Sequence, residues 1–230
     1  MKISVIIPTL NESENIGHLV AFIHDFGTTQ VGEIIVVDGQ SADDTVVVAK
    51  QAGALTLISP IKSRAAQMNM GAKYATGDIL YFIHADIKLV PSFAQDIKGS
   101  IEAGFPSGCY RYVFDSSKSM LRINAYCTRF NRIMGRGGDQ TLFVTRSVFE
   151  KLGGFNETFS IMEDYDFIIR LQKEYPFKII PKNVVVSARK YETNSWLRVQ
   201  LANLTVFIMF FLQQPPDKMK RWYEKMLAYR

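Results

Sequence analysis

The sequence contains little cysteine, which excludes the small scaffolds that depend on it. Its 230 residues include two cysteines, Cys109 and Cys127, and neither belongs to a Cys-x-x-Cys pair. Structural zinc fingers and disulfide frameworks need several cysteines at short spacings. We therefore expect neither class, and we expect the protein to work in a reducing, cytoplasmic compartment.

The sequence also lacks a long uninterrupted apolar run. The longest, residues 201–212, contains Asn203 and Thr205 and falls short of the roughly 20 residues that a membrane-spanning helix needs. The first apolar run, residues 3–7, is short and ends at Pro8, so it predicts a strand and not a signal peptide. We expect no transmembrane segment.

Strong clustering of positive charge is missing from most of the chain. The 27 Lys and Arg residues stand against 22 Asp and Glu residues, a net charge of +5. Nucleic-acid binding proteins usually combine a dense basic patch with a recognition motif. We therefore predict no nucleic-acid partner, whereas an anionic small ligand or a membrane surface suits this mild basicity.

Short apolar runs alternate with helix-like segments along the first hundred residues. The strand patterns fall at residues 3–7, 33–37, 55–58 and 79–83, and the helical patterns at 12–25, 43–52 and 64–75. This alternation predicts βαβ units and an α/β fold with a mostly parallel sheet flanked by helices. Asn11, Ser41 and Ser63 precede the helical patterns, and we expect them to act as N-caps.

The pattern becomes less regular after residue 104. Strands are predicted at 108–114, 141–145, 178–180 and 184–187, and helices at 120–133 and 162–173. No linker composition divides the chain. We predict one α/β domain over residues 1–194 and a C-terminal helical appendage over 195–230, within the same compact unit.

Polar residues follow each of the early strands. Asn11 and Glu12 follow the first strand, Asp38 follows the second, and His84 and Asp86 follow the strand at 79–83. The carboxyl ends of parallel strands meet at one edge, where open α/β sheets bind ligands. Each residue also has an ordinary structural role open to it, as a helix cap or a turn former.

Two phosphate-binding motifs are absent. The turn after the first strand has no Gly-x-Gly-x-x-Gly pattern, and the chain has no Gly-x-x-x-x-Gly-Lys-Ser/Thr pattern, so dinucleotide and P-loop sites are excluded. A divalent cation on a loop carboxylate is another way to hold a diphosphate, and Mg²⁺ needs only one or two protein carboxylates there. Asp86 is the candidate, with His84 as a weaker one.

An ordered set of motifs resembles glycosyltransferase family 2, whose members have the Rossmann-like GT-A fold and use nucleotide-diphosphate sugars. The set spans about residues 1–189 and consists of Pro8-Thr9-x-Asn11-Glu12, Asp38-Gly39-x-Ser41-x-Asp43, Arg64-Ala65-Ala66-Gln67-Met68-Asn69, His84-Ala85-Asp86, Gly153-Gly154-Phe155 and Met162-Glu163-Asp164. The resemblance implies a transferase with a Mn²⁺ or Mg²⁺ cofactor. His84 departs from the family pattern, which has an acid there, so the ligand set of the metal stays open.

The resemblance also implies a role for individual residues. Asp38 accepts a hydrogen bond from the imide of uracil or its equivalent, Asp86 binds metal, and Asp164 is the general base, with Glu163 beside it. The other implied donor-binding residues are Pro8, Thr9, Asn11, Glu12, Arg64, Asn69, Ala85, Asp139, Gln140 and Arg189. An alternative for Glu163 and Asp164 is simple stabilisation of a helix N-terminus.

The function predicted from these residues is inverting, metal-assisted transfer of a sugar, with a UDP-sugar favoured, to an acceptor hydroxyl. One alternative is a nucleotidyltransferase, although its glycine-rich basic loop after the first strand is absent. The other is a non-catalytic module that binds a nucleotide sugar.

The C-terminal segment combines an apolar stripe with a basic tail. Leu197, Leu201, Leu204, Ile208 and Phe211 share one helical face, and residues 217–230 carry five basic residues against two acidic ones. The stripe must be covered. Packing on the domain or on a second subunit, as in a homodimer, is the first explanation. Contact with the inner face of an anionic membrane, which suits a lipid-linked acceptor, is the second.

Overall fold

The computed structural model describes residues 1–133 and 141–227. Its strands are β1 (Ile3–Thr9), β2 (Val31–Asp38), β3 (Leu55–Ile58), β4 (Ile79–Phe82), β5 (Ser107–Phe114), β6 (Leu142–Thr145) and β7 (Phe177–Val186). Its helices are α1 (Ser13–Gly27), α2 (Thr45–Gln51), α3 (Arg64–Tyr74), α4 (Phe93–Glu102), α5 (Ser119–Cys127), α6 (Arg146–Lys151), α7 (Glu163–Glu174), α8 (Lys190–Thr193), α9 (Trp196–Phe211) and α10 (Pro216–Met226).

The seven strands form one sheet in the order β3-β2-β1-β4-β6-β5-β7. β1 pairs in parallel with β2 and β4, and β2 pairs in parallel with β3. β6 runs antiparallel to β4 and β5, and β7 is parallel to β5. The prediction of a mostly parallel α/β sheet flanked by helices is therefore confirmed.

The central strand β1 is buried along its whole length because helices cover both faces of the sheet. Alternate residues point to opposite faces: Val5 packs with the α1 and α4 side chains, and Ile6 packs with those of α3 and α7. This burial explains why the strand is a continuous apolar run. It also places the end of β1 in the middle of the carboxyl edge.

Gly108 in β5 lies where no side chain can fit. A Cβ atom there would stand 2.2 Å from the Lys178 carbonyl oxygen and 2.6 Å from Cζ of Phe143, the neighbours on the two flanking strands. Gly108→Ala is expected to lower the free energy of unfolding by roughly 1–3 kcal/mol through overpacking, measured by urea denaturation. Gly99→Ala in α4, where the added Cβ meets nothing within 4 Å, is the control and should not destabilise. Equal stability of the two variants would contradict this account.

Several predicted boundaries are wrong. The predicted helix at 120–133 ends at Cys127, where the Thr128 hydroxyl donates to the Ala125 carbonyl at 2.7 Å and competes with the helical pattern. The two short strands predicted at 178–180 and 184–187 form the single strand β7, whose register shifts midway.

The C-terminal helices α9 and α10 pack on each other. The Ser195 side chain accepts the Arg198 backbone N–H and caps α9, and the Tyr223 hydroxyl donates to Asn203 Oδ1 at 3.1 Å. Within the ranges that the structure describes, no helix is both long and apolar enough to cross a membrane. The division of the chain between residues 194 and 195 stays a prediction.

Candidate active site

The ends of β1 and β2 are joined by a buried amide. Gln67 on α3 donates both hydrogens of its side-chain amide, to the carbonyl of Thr9 at 2.8 Å and to that of Val37 at 2.7 Å. One side chain thereby fixes the spacing of the two strand ends where the predicted nucleotide pocket begins. No individual role is predicted for Gln67 from the sequence; the available signal is a polar residue on the sheet-facing side of a helix.

Asp38 is buried, at 1% exposure, with both carboxylate oxygens in use. Oδ1 accepts hydrogen bonds from the hydroxyls of Thr9 and Ser41, and Oδ2 accepts the Ser41 backbone N–H at 2.8 Å. A carboxylate offers about four acceptor positions. One position on Oδ2 therefore remains for a further donor.

Asn11 and Ser41 do not cap helices, so that prediction is wrong. α1 begins at Ser13 and α2 at Thr45, too far along the chain for these side chains to serve as caps. Asn11 instead donates its backbone N–H to the Ser41 hydroxyl and accepts the Ala42 N–H, each at 2.8 Å. Its φ is 55°, a left-handed conformation that asparagine tolerates better than most residues. These bonds join the loops after β1 and β2.

Arg189 connects two carboxylates that follow different strands. Its Nη2 lies 2.7 Å from Glu12 Oε1 and 3.3 Å from Asp86 Oδ2. Glu12 is nearly buried, and its other oxygen accepts the Asn15 amide at 2.8 Å. The guanidinium therefore stands as a cation between the ends of β1 and β4.

Glu163 and Asp164, the first residues of α7, open onto a cavity at the same edge of the sheet. Pro8 near the end of β1, His84 after β4, and Thr141 before β6 also line it. Phe82 and Phe155 form part of its apolar wall. The structure therefore brings Asp164, the predicted general base, and its neighbour Glu163 to the same cleft as His84, which belongs to the predicted metal-binding loop.

Glu163 is 5% exposed, and its protonation equilibrium is strongly perturbed. Burial, reinforced by the neighbouring Asp164 carboxylate, raises the pKa of Glu163 to about 7, although the Arg64 guanidinium acts in the opposite direction. Two adjacent carboxyl groups whose environments differ are typical of acid–base sites.

The backbone before this pair is strained. Met162 adopts φ 68° and ψ 13°, a left-handed conformation that is unfavourable for a residue with a long side chain. The next residues begin α7, and Asp164 Oδ1 accepts the Tyr165 backbone N–H at 2.8 Å. The turn at Met162 thus sets the direction in which both carboxylates enter the cleft.

Asn69, predicted to lie by the base and the phosphates, has its side-chain amide bonded to the turn at Phe155. Its Oδ1 accepts the Phe155 N–H at 2.9 Å, and its Nδ2 donates to the Phe155 carbonyl at 2.8 Å and to Glu157 at 2.9 Å. A Cβ on Gly154 would stand 2.8 Å from that Oδ1. The amide therefore holds the turn that supports the cavity wall, because its donor and acceptor atoms are both engaged there.

Comparison with known proteins decides the family. Residues 4–158 match the sequence profile of the family described as Glycosyl transferase family 2. The chain belongs to this family. An uncharacterised glycosyltransferase of Haemophilus influenzae is 25% identical over 195 residues, which cover 77% of this chain and 65% of the relative. The chain spans less than two thirds of the length of the curated relatives that it matches first.

Solved structures share the fold of this family 2 chain. Glucosyl-3-phosphoglycerate synthase of Mycobacterium tuberculosis, crystallised with Mn²⁺, UDP and glucosyl-3-phosphoglycerate, superposes with a TM-score of 0.63 at 21% identity. The match covers 93% of this chain and 80% of that one. A mannosyltransferase of Pyrobaculum calidifontis, in complex with GDP-mannose and Mn²⁺, gives 0.66 at 19% identity, covering 89% and 62%. The GT-A expectation is confirmed.

The residues at the strand ends can accommodate a divalent cation. No cluster of three His, Cys, Asp or Glu side chains that could hold a metal occurs in residues 1–133 and 141–227. A Mg²⁺ or Mn²⁺ ion bound mainly by substrate phosphates needs fewer protein ligands. The Asp86 carboxylate already pairs with a cation, the Arg189 guanidinium. Asp86 therefore fits a metal site completed by a diphosphate.

The remaining predicted residues occupy different environments. Ala85 is buried within the hydrophobic core, so its side chain serves packing. Arg64 begins α3 and lies close enough to Glu163 to influence its pKa. Asp139 and Gln140, predicted to contact the donor sugar, lie outside the described residues.

Proposed function

We propose that this chain transfers a sugar from a nucleotide-diphosphate donor to an acceptor hydroxyl, with inversion at the anomeric carbon and with Mn²⁺ or Mg²⁺ as cofactor. The observation that carries the proposal is the convergence of His84, Glu163 and Asp164 on one cleft. Asp86 follows His84 by two residues and is linked by Arg189 to Glu12. This is the edge at which α/β sheets bind ligands.

A nucleotide fits the ends of β1 and β2. The acceptor position left on Asp38 Oδ2 suits the imide N–H of a uracil, which favours UDP among the donors. The carboxylate is held rigidly by Thr9 and Ser41, so little ordering is needed when the base binds. Membership of the family is compatible with other bases, and the mannosyltransferase crystallised with GDP-mannose is an example.

Asp86 would hold the metal, with His84 as a second candidate ligand from the same loop. When bound, the cation stabilises the negative charge that develops on the departing diphosphate. Arg189 can also stabilise the charge on the diphosphate. Its side chain, beside Glu12 and Asp86, is 57% exposed, and a guanidinium is a good partner for phosphate. Glu12 then keeps the Arg189 side chain in place.

Asp164 would act as the general base. As the acceptor oxygen attacks the anomeric carbon, its proton passes to the Asp164 carboxylate, and the bond from that carbon to the diphosphate oxygen breaks on the opposite face. Inversion follows from this geometry. Glu163, protonated more readily than an ordinary glutamate, keeps the negative charge beside Asp164 low.

Donor binding and its dependence on metal are the most direct test. Thermal unfolding would be followed with UDP-, GDP- and dTDP-sugars, with and without Mn²⁺. We expect a UDP-sugar to raise Tm only when Mn²⁺ is present, and Asp86→Ala to abolish the Mn²⁺-dependent part. Asp25→Ala, which removes an exposed carboxylate from α1, is the control.

Two outcomes would contradict the proposal. If no nucleotide sugar shifts Tm under any condition, the donor site is wrong. If a donor binds but is neither transferred nor hydrolysed with a panel of sugar and lipid acceptors, the protein is a binding module and not an enzyme.

A further inference from the structure

Helix α9 carries a line of large apolar side chains that nothing covers among the described residues. Leu197, Leu201, Leu204, Ile208 and Phe211, here called the α9 stripe, are 45–61% exposed. Their spacing places them within one narrow strip along about 21 Å of helix. The buried residues Val199, Ala202 and Val206 lie on the opposite side of the same helix. Packing on the described residues of the same chain, one half of the first explanation, therefore does not cover the stripe; packing on a second subunit stays a prediction.

The same helix packs against the segment that carries the proposed catalytic pair. The ring of Phe207 lies 5.8 Å from that of Tyr165, the residue after Asp164, and the ring of Phe210 lies 5.6 Å from that of Phe159. Whatever covers the α9 stripe will therefore lie close to the segment that carries Glu163 and Asp164.

A second segment combines exposed apolar residues with positive charge. Residues 116–133, here called the α5 segment, contain Lys118, Arg122, Arg129 and Arg132 and no acidic residue. All four cations are exposed. Met120, Ile123, Tyr126 and Phe130 in the same segment are 41–54% exposed.

The α5 segment and α9 are directly connected. The Trp196 indole N–H, at the start of α9, donates to Asn124 Oδ1 at 3.2 Å, and the Asn124 amide donates to the Tyr191 hydroxyl at 3.2 Å. Helix α10, which packs on α9, adds the exposed cations Lys218, Arg221 and Lys225. Apolar and basic side chains thus occur together on three neighbouring helices.

We propose that the α9 stripe and the α5 segment form a docking surface for an anionic lipid bilayer. Exposed apolar side chains can enter the boundary between headgroups and acyl chains, while Lys and Arg contact the anionic headgroups. A second copy fits less well, because a two-fold interface pairs this surface with itself, and the α5 segment would then bring positive charge and no negative charge to both sides. If the proposed function holds, docking brings Asp164 close to the bilayer surface and indicates an acceptor with a lipid anchor.

Vesicle flotation tests this surface with the full chain. The vesicles would be phosphatidylcholine alone, or phosphatidylcholine with about a third phosphatidylglycerol, at low and high salt. We expect binding to the anionic vesicles that weakens with salt. The stripe variant Leu204→Gln/Ile208→Gln and the charge variant Arg122→Glu/Arg129→Glu should each lower the partition coefficient about tenfold or more.

Matched substitutions elsewhere separate docking from general effects. Val47→Gln on α2 removes an equally exposed apolar residue, and Lys50→Glu reverses an exposed cation on the same helix; neither should change binding. Tm values identify any variant that fails to fold. Because the two test variants alter different segments of the chain, the proposal can still be tested with one of them if the other does not fold.

Three results would overturn the docking proposal. They are no binding of the unaltered chain to anionic vesicles, binding by both test variants that equals that of the unaltered chain, or a vesicle-independent dimer that Leu204→Gln/Ile208→Gln dissociates. The Mn²⁺-dependent Tm shift with donor would be measured on the same samples. Its persistence without vesicle binding would refute the docking surface alone, and its absence would refute the proposed donor site.

Discussion

Replacing Asp164 with asparagine is expected to lower kcat by roughly 10²–10⁴-fold, the usual contribution of a positioned general base. Asparagine preserves the shape of the side chain and can still accept the Tyr165 N–H, but it cannot take a proton from the acceptor. Donor binding, measured as the Mn²⁺-dependent Tm shift, should change little because the nucleotide end of the cleft is untouched.

Asp166→Asn is the matched control for this experiment. Asp166 lies in the same first turn of α7, where an acid stabilises the helix N-terminus, but its carboxylate is paired with Arg170 at 2.7 Å. If the acids only stabilise the helix, both variants should lose stability and keep turnover. Near-normal kcat in Asp164→Asn would remove Asp164 from the role of base.

The second large effect expected is on the pH dependence of stability. Between the ordinary glutamate pKa of 4.5 and the folded value of about 7, the folded protein keeps a proton on Glu163 that the unfolded chain has lost. Folding stability therefore falls as pH rises through this window. The loss attributable to this group amounts to roughly 3 kcal/mol at pH 8.

Glu163→Gln removes this titration. The free energy of unfolding would be measured by urea denaturation at each pH for the variant and for the unaltered chain. The difference, variant minus unaltered chain, should increase by about 3 kcal/mol from pH 4 to pH 8. Glu174→Gln, at the exposed far end of α7, should show no such trend. A pH-independent difference for Glu163→Gln would mean that the carboxyl group ionises normally when folded, and the account of the buried pair would be wrong.

The early half of the fold was predictable because local and global signals agree there. β1 is apolar because both of its faces are buried, and each polar residue after a strand occurs at the edge where loops converge. The antiparallel direction of β6 was not predictable. It depends on how β6 inserts between β4 and β5, a long-range arrangement that no short pattern records.

The site was predicted at the level of segments better than at the level of contacts. Asn69 belongs to a typical family motif, yet its amide is occupied by the Phe155 turn. Gln67, two residues earlier, has the clearer structural task of joining two strand ends. A sequence pattern shows that a polar residue is needed, whereas its hydrogen-bond partners depend on loops that are distant along the chain.

The position of Arg189 changes the energetics of cation recognition at Asp86. Two carboxylates from separate loops would repel each other, and the guanidinium between them relieves this repulsion. Any ion that coordinates Asp86 would therefore compete with an internal positive charge for that carboxylate. Metal affinity at Asp86 would thus be the difference between two attractions, that of the ion and that of the guanidinium.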